Sequence, residues 1–394
     1  MKKKAKAFAF GPSGKGFAGA LALCLTFGLV SCGNAFSEQA DVTQIETVTT
    51  MTALNAAVLK ATPGSAIEVA PGNYPFLEIK GVGFDQPITI RSAEEARPAT
   101  FEGFSIRNSN NINLQNLAIR PKLRMNEPSR YGAIVLKSKN IGIDAVSFVG
   151  PLIGPKKAYN MAIMLRLSRN ISLTRSYFAN FRHGVGMLEL NGSRIALNEF
   201  ERLQTDAIRG GGVSGIRIEN NVITNFSPAP GDHPDGIQLW STNQRDPGRD
   251  IVIAENLVAR GQGDPIQGIF IRDTFKELPF EDIEVRRNLV LGGLYNGISV
   301  NGVEKLLVRD NTVIGRSDQK SWIRIQRSRD ARSSSNIAQQ FLSIDNGVEP
   351  QQTGNSEVAP LDSGQAQVIS QWIENTRGFA EYRGPVLRRL MAGD

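Results

Sequence analysis

The stretch Ile216-Arg217-Ile218-Glu219-Asn220-Asn221 returns as Ile251-Val252-Ile253-Ala254-Glu255-Asn256, then as Ile283-Glu284-Val285-Arg286-Arg287-Asn288 and as Leu306-Leu307-Val308-Arg309-Asp310-Asn311. Each copy has apolar residues two apart and an Asn five positions after the first of them. Alternation at period two belongs to strands, not helices. Working outward, further copies begin at Ile112, Ile141, Ile171 and Ile195, which makes eight, spaced by 29, 30, 24, 21, 35, 32 and 23 residues. A recurring unit of that size means a solenoid. Spacings in the twenties are too short for a four-stranded propeller blade and suit one coil of two or three short strands, with loops filling the larger gaps. The recurring Asn is expected at a corner, where it tolerates left-handed backbone angles and its amide stacks from coil to coil.

A second strand precedes these phrases. Its copies include Gly236-Ile237-Gln238-Leu239, Gly268-Ile269-Phe270-Ile271, Gly297-Ile298-Ser299-Val300 and Trp322-Ile323-Arg324-Ile325. The residues between the apolar ones face out and stack about 4.8 Å apart. One expected column is Arg209, Gln238, Phe270, Ser299 and Arg324, and the next is Trp240, Arg272, Asn301 and Gln326. A third column, His183, Asp206, Asp235, Gln267, Asn296 and Ser321, runs just ahead of the strand.

Ahead of the repeats, Leu54, Ala57, Val58 and Ala61 sit at helical spacing, Pro63-Gly64 stops that helix, and Ala66 to Tyr74 reads as strand and turn. With these features the chain resembles the pectate-lyase-like right-handed parallel β-helix superfamily over roughly residues 50 to 345. The resemblance implies an all-β, single-chain parallel β-helix whose open end is capped by the entry helix. Within that superfamily, His233-Pro234-Asp235-Gly236-Ile237-Gln238-Leu239-Trp240 looks like a motif of bacterial secreted β-helix proteins that act on polysaccharides. The expected organisation is an export signal over 1–31, a linker over 32–50, the β-helix over 51–345, and a C-terminal loop with a capping helix over 346–394. Val368, Ile369, Trp372 and Ile373 mark that last helix, ending near Gly378 and covering the far end of the core.

Lys2, Lys3, Lys4 and Lys6 precede an apolar run from Phe17 to Val30 that ends in Leu29-Val30-Ser31-Cys32. This is the pattern of a bacterial export signal, too short to span a membrane. Its ending matches a lipobox, so Cys32 is the expected lipidation site and the protein is expected in the periplasm or at the outer membrane, or secreted. Residues 1–31 hold five Lys and no acid, which leaves 40 basic and 38 acidic residues afterwards, a net of +2 instead of +7. From Arg120 to Arg209, however, 15 Lys and Arg face 6 Asp and Glu, a surplus suited to a polyanion. The only cysteines are Cys24 and Cys32, so the body has no disulfide and no thiolate metal site. A nucleic-acid partner is not expected of an exported chain without aromatic-basic interleaving, and the chain is expected to be a monomer.

The two histidines, His183 and His233, fall in neighbouring parts of the third column, with Asp206 and Asp235 between and beside them. Three coils span about 10 Å, enough for one or two sugar rings. Cleaving a polyuronate by β-elimination requires a cation on the sugar carboxylate, a base for the C5 proton and an acid at the leaving oxygen. Arg209 or Arg272 supplies the first through a bidentate fork, and His233 or His183 the second. Asp235 orients the imidazole or binds a hydroxyl. Asp206, Gln238, Trp240, Gln267, Phe270 and Asn296 are the candidate substrate contacts. Asp232 and Asp264, each three residues ahead of a column member, are expected to stack; such a pair shares a proton, holds Ca²⁺ through oxygen ligands, or caps turns.

An epimerase would use nearly the same parts, and a hydrolase would need two carboxylates about 5 to 9.5 Å apart, for which Asp206 and Asp235 or Asp232 and Asp264 are candidates. The Asn-Thr-Asp, Asp-Asp and Gly-His-Gly set of polygalacturonase-type hydrolases is missing, as are the calcium-binding Asp cluster of the best-known pectate lyases and the Asp-Pro-His motif of mannuronan epimerases. A non-catalytic carbohydrate-binding lipoprotein is the remaining alternative. It predicts an open face of Asn, Ser and Thr without a perturbed acid or base.

Overall fold

Three parallel sheets of 13, 11 and 12 strands wrap around one apolar core. The computed structural model describes residues 45–122, 131–152 and 158–393. The expected export signal over 1–31, Cys32 and most of the expected 32–50 linker lie outside the described residues. One coil shows the plan: Ser214–Glu219 lies in the first sheet, Val222–Thr224 in the third, Asp235–Trp240 in the second, and Arg249–Ala254 returns to the first. Register follows the repeat, with Ile216 beside Ile251 and Ile283 beside Leu306.

One copy is shifted. Ile195 pairs with Leu173 and Ile218, so it occupies the second apolar position of its coil. Ser193 holds the first, and its hydroxyl accepts from the Ile171 N–H at 3.0 Å. The Asn five residues after Ser193 is Asn198, which joins the buried column Asn198, Asn221, Asn256, Asn288, Asn311 and Asn336, all fully buried. Each amide donates to the next Asn Oδ1 at 2.9–3.0 Å, the last reaching Asn355. These Asn residues do not carry the left-handed backbone expected of them. The residues just before them do: Asn220 (φ 56°), Glu255 (56°), Arg287 (52°) and Asp310 (58°). The Asn is required for its amide, which satisfies backbone groups that the corner would otherwise leave buried and unpaired.

Inside the coils Phe148, Phe178 and Phe200 stack at 4.8 and 4.7 Å between ring centres. At the entry, a helix α1 (Met51–Lys60), capped by the Thr50 hydroxyl accepting from Ala53 N–H at 3.1 Å, lays Leu54, Ala57 and Val58 into the core. The strands extend beyond the expected 51–345 limits on both sides: Ile45–Val48 pairs with Ala66–Val69, and Gln351–Thr353 and Ser356–Glu357 add one more partial coil.

The C-terminal helix takes a different place from the one expected. Helix α2 (Gln365–Glu374) is followed by α3 (Arg377–Glu381) and α4 (Pro385–Ala392). Their Ile369, Ile373, Phe379, Val386, Leu387 and Leu390 pack on the outward face of the third sheet, against Val222, Leu257, Leu289 and Leu291. The apolar stripe of α2 thus covers a side of the solenoid, not its far end. At the start of α4, Val386 and Leu387 N–H donate to the buried Glu199 carboxylate at 3.1 and 2.9 Å. Arg389 reaches both oxygens of Glu201 at 3.0 Å.

Candidate active site

The second sheet brings the outward columns together in the expected register. Arg209 lies beside Gln238, Gln238 beside Phe270, Phe270 beside Ser299 and Ser299 beside Arg324. Trp240 lies beside Arg272, and Arg272 beside Asn301. Gly236, the second residue of the strand Asp235–Trp240, has no room for a side chain: a Cβ there would stand 2.8 Å from the Gly268 carbonyl oxygen and 3.0 Å from Val258. Asp235, the first residue of that strand, is buried beneath Gln238, and its carboxyl accepts from Gln238 Nε2 at 2.7 Å.

Four groups from three coils form one connected cluster. Arg209 Nη1 lies 3.0 Å from Asp206 Oδ2 and 3.2 Å from each ring nitrogen of His183. His183 Nδ1 is 3.4 Å from Asp206 Oδ2 and in short contact with the Thr205 hydroxyl. Asp206 Oδ1 accepts from the Asp235 backbone N–H at 3.2 Å, which ties the second coil to the third. The Arg209 guanidinium also lies 4.9 Å over the Trp240 ring, within cation–π range.

Asp235 is the unusual member. Its side chain is fully buried and its Oδ1 has no hydrogen-bond partner among the described residues. Burial first, and Asp206 second, push its carboxyl well above the ordinary range; the Gln238 hydrogen bond and the Arg209 charge offset this only in part. A carboxyl in such a place keeps its proton where an exposed one loses it. His183 moves the other way: burial chiefly, helped by the Arg209 and Arg182 charges, holds its imidazole below its usual value against the pull of Asp206. The cluster therefore sets a carboxyl that binds its proton more tightly than usual beside an imidazole that binds its own less tightly.

Beside it opens a groove of about 310 Å³ lined by Arg209, Gln238, Trp240, Thr242, Phe270, Arg272 and Thr274. Arg272 is exposed and has no acid partner among the described residues. Thr205, Thr242 and Thr274 were not singled out from the sequence; Thr205 sits directly before Asp206, which was the available signal.

The sequence of residues 157–338 matches the family described as right handed beta helix region. The chain folds as a right-handed parallel β-helix. An alginate lyase from Paenibacillus sp. str. FPU-7 is similar in structure, with 16% identity and a TM-score of 0.53 over 76% of this chain and 99% of that one. PfbA, a surface adhesin of Streptococcus pneumoniae, is similar at 15% identity and a TM-score of 0.51, over 78% and 88%. No curated protein matches the sequence.

Other candidates on this β-helix are placed away from the groove. Gln267 and Asn296 are buried and bonded to each other, and Trp322 Nε1 donates to Asn296 Oδ1 at 3.1 Å. A bulge between Asn296 and Ile298 puts Trp322, not Ser321, beside Asn296. His233 is exposed, and no hydrogen bond or ion pair joins it to the His183, Asp206, Arg209 and Asp235 cluster among the described residues. Asp232 pairs with Arg182 at 2.9 Å and accepts from Ala229 N–H at 3.1 Å, the bonds of a turn cap. No hydrogen bond or ion pair joins it to the exposed Asp264 among the described residues. Nor do those residues contain a group of three or more His, Cys, Asp or Glu suited to a metal ion.

Proposed function

We propose that this β-helix is a carbohydrate-active enzyme, a lyase that cleaves an acidic, uronate-containing polysaccharide by β-elimination. The observation that carries the reading is Asp235, a buried carboxyl with one unpartnered oxygen and a raised pKa, joined to His183, Asp206 and Arg209 at the rim of a cationic groove. A surface that only binds sugar gains nothing from such a group, because a buried, unpartnered polar atom costs stability. The likeness to an alginate lyase and to an adhesin is one of fold and does not choose between them.

In this reading the free Arg272 forks onto the sugar carboxylate and withdraws charge, which acidifies the C5 proton. His183, whose hold on a proton burial weakens and which Asp206 and Thr205 orient, takes that proton. The electron pair forms the C4–C5 double bond as the C4–O bond breaks, and the leaving oxygen takes the proton held by Asp235. Arg209 shields the developing charge between the two. The export signal and lipidation of Cys32 belong to the same proposal, since such polymers lie outside the cytoplasm.

The test is the ultraviolet absorbance of the unsaturated product when purified protein meets a panel of uronic-acid polysaccharides. We expect a rise that falls by about 100-fold or more in His183→Gln and in Asp235→Asn, and a raised KM in Arg272→Ala. Loss in His233→Ala with retention in His183→Gln would move the base to His233. New reducing ends without absorbance would overturn elimination in favour of hydrolysis across Asp206 and Asp235.

A further inference from the structure

The opposite edge of the second sheet carries a different surface. Where its strands turn into the first sheet, two concavities of about 590 and 680 Å³ share Leu167, Glu189 and Asn191 and so form one continuous trough. Its floor is a register column: Asn110 beside Lys139, Lys139 beside Arg169, Arg169 beside Asn191, Asn191 beside Ser214, and Ser214 beside Arg249. Five coil-to-coil steps of about 4.8 Å give a trough roughly 24 Å long. Lys137 and Arg245 add to its walls. Against these five cations stand two acids, Glu189 and Asp246, a balance of +3.

These cations differ from several arginines elsewhere on the coils, which are matched with a carboxylate one coil away: Arg91 with Glu68, Arg194 with Glu219, Arg309 with Glu284, Arg329 with Glu304. Lys137, Lys139, Arg169, Arg245 and Arg249 have no such partner among the described residues. Lys139 and Arg169 moreover stack directly on each other, an arrangement that repels unless an anion lies between or over them.

The backbone under them is held on both sides. Buried serines tie successive coils, Ser109 N–H to Ser138 Oγ at 3.2 Å and Ser138 N–H to Ser168 Oγ at 3.1 Å. Just outside, Asn140 donates to Asn111 at 2.8 Å and Asn170 to Asn140 at 3.0 Å, all three with left-handed φ. The corner is therefore fixed before any ligand arrives, and Lys139 and Arg169 project from it at the coil spacing.

From this we infer that the trough is a second anion-binding site, separate from the Asp235 groove, which holds a linear acidic polysaccharide along the solenoid axis. A concave trough whose floor cations stand one coil apart (Lys139 and Arg169) and then three coils apart (Arg169 and Arg249) fits a chain carrying one carboxylate per sugar, since the coil spacing is close to the length of one sugar in an extended chain and each cation then meets a carboxylate at a multiple of it. The choice of a uronate polymer rests on the proposed function; the trough and its unpaired charge do not. A polymer held there would be tethered while the groove acts on it, and its local concentration would rise accordingly.

The experiment is affinity electrophoresis of the full chain in gels containing alginate, polygalacturonate or neutral dextran. We expect retardation by at least one acidic polymer and none by dextran, with binding about tenfold weaker in Lys139→Glu/Arg169→Glu and an intermediate loss in Lys139→Gln/Arg169→Gln. Retardation should fade with added salt, as screening predicts. Melting curves show whether each variant is folded. Asp235→Asn should be retarded like the wild type, and retardation of the wild type without any cleavage would count against the proposed function alone. Equal retardation of wild type and both trough variants would overturn the second site, as would binding only to anionic vesicles or to nucleic acid.

Discussion

Two of the columns of buried polar side chains in this protein are built on opposite terms. At the corner between the first and third sheets, Asn198 to Asn336 bury their amides completely, and each one donates to the next and accepts from a backbone N–H. In the column that leads into the second sheet, His183, Asp206 and Asp235 are also buried, yet one Asp235 oxygen has no partner among the described residues and the pKa values of His183 and Asp235 are displaced. Full satisfaction is what a structural column needs, because each missing bond in a dry interior costs free energy. A column that tolerates the cost is being kept for another reason, and proton transfer is the one its groups are suited to.

Breaking the satisfied column should have the larger effect on stability. Asn256→Leu removes the acceptor of the Asn221 N–H and of the Asn221 amide, and the donor to Ile218 O. We expect a loss of about 3 kcal/mol, with orphaned groups costing about 1–3 kcal/mol each, read as a lower midpoint in urea.

Asp235→Asn should show the opposite sign. It removes a buried acid without changing shape, so stability at neutral pH should hold or rise while catalysis falls. The pH dependence follows from the direction of the shift. The folded state binds the Asp235 proton more tightly than the unfolded chain, so stability declines as pH rises from the ordinary carboxylate value of about 4 towards the raised folded one. His183, with its folded pKa depressed, contributes the reverse, a gain as pH rises towards about 6.5. Melting temperatures across pH 4 to 8 should lose the Asp235 contribution in Asp235→Asn and keep that of His183.

A third buried acid sharpens the contrast from between the two. Glu199 is also pushed up by burial, yet both its oxygens are engaged by N–H groups of α4. Glu199→Gln keeps one acceptor and loses the charge at a helix N-terminus. We expect about 1 kcal/mol or less, visible as faster proteolysis of the last 30 or so residues and no change in kcat.

The solenoid was legible because period-two apolar pairs and a phased Asn survive in the sequence whatever the loops do. The outward columns were legible for the same reason, as Arg209, Gln238 and Phe270 show. What failed depended on registers that alternation cannot fix. Aligning on the first apolar residue misplaced Ile195 by two, because a Ser had taken the leading place and only Asn198 kept the phase. The bulge at Asn296 replaced Ser321 with Trp322. Asp232 reads as a partner for Asp264 on spacing alone, while its real partner, Arg182, lies 50 residues back. An amphipathic helix, likewise, says that it has an apolar stripe and not which surface that stripe covers.

The last three helices also bear on how the molecule assembles. A stack of coils needs only contacts between neighbours and can grow from any point along its length. The clasp of α4 on Glu199 instead joins residues 187 and 188 apart in sequence, and its apolar bed on the third sheet spans coils from Val222 to Ile314. That bed exists only after those coils have closed in register, so the C-terminus docks last. Its docking then links the opening of any one of those coils to that of the others, and turns a segment that would fray piecemeal into one that opens as a unit.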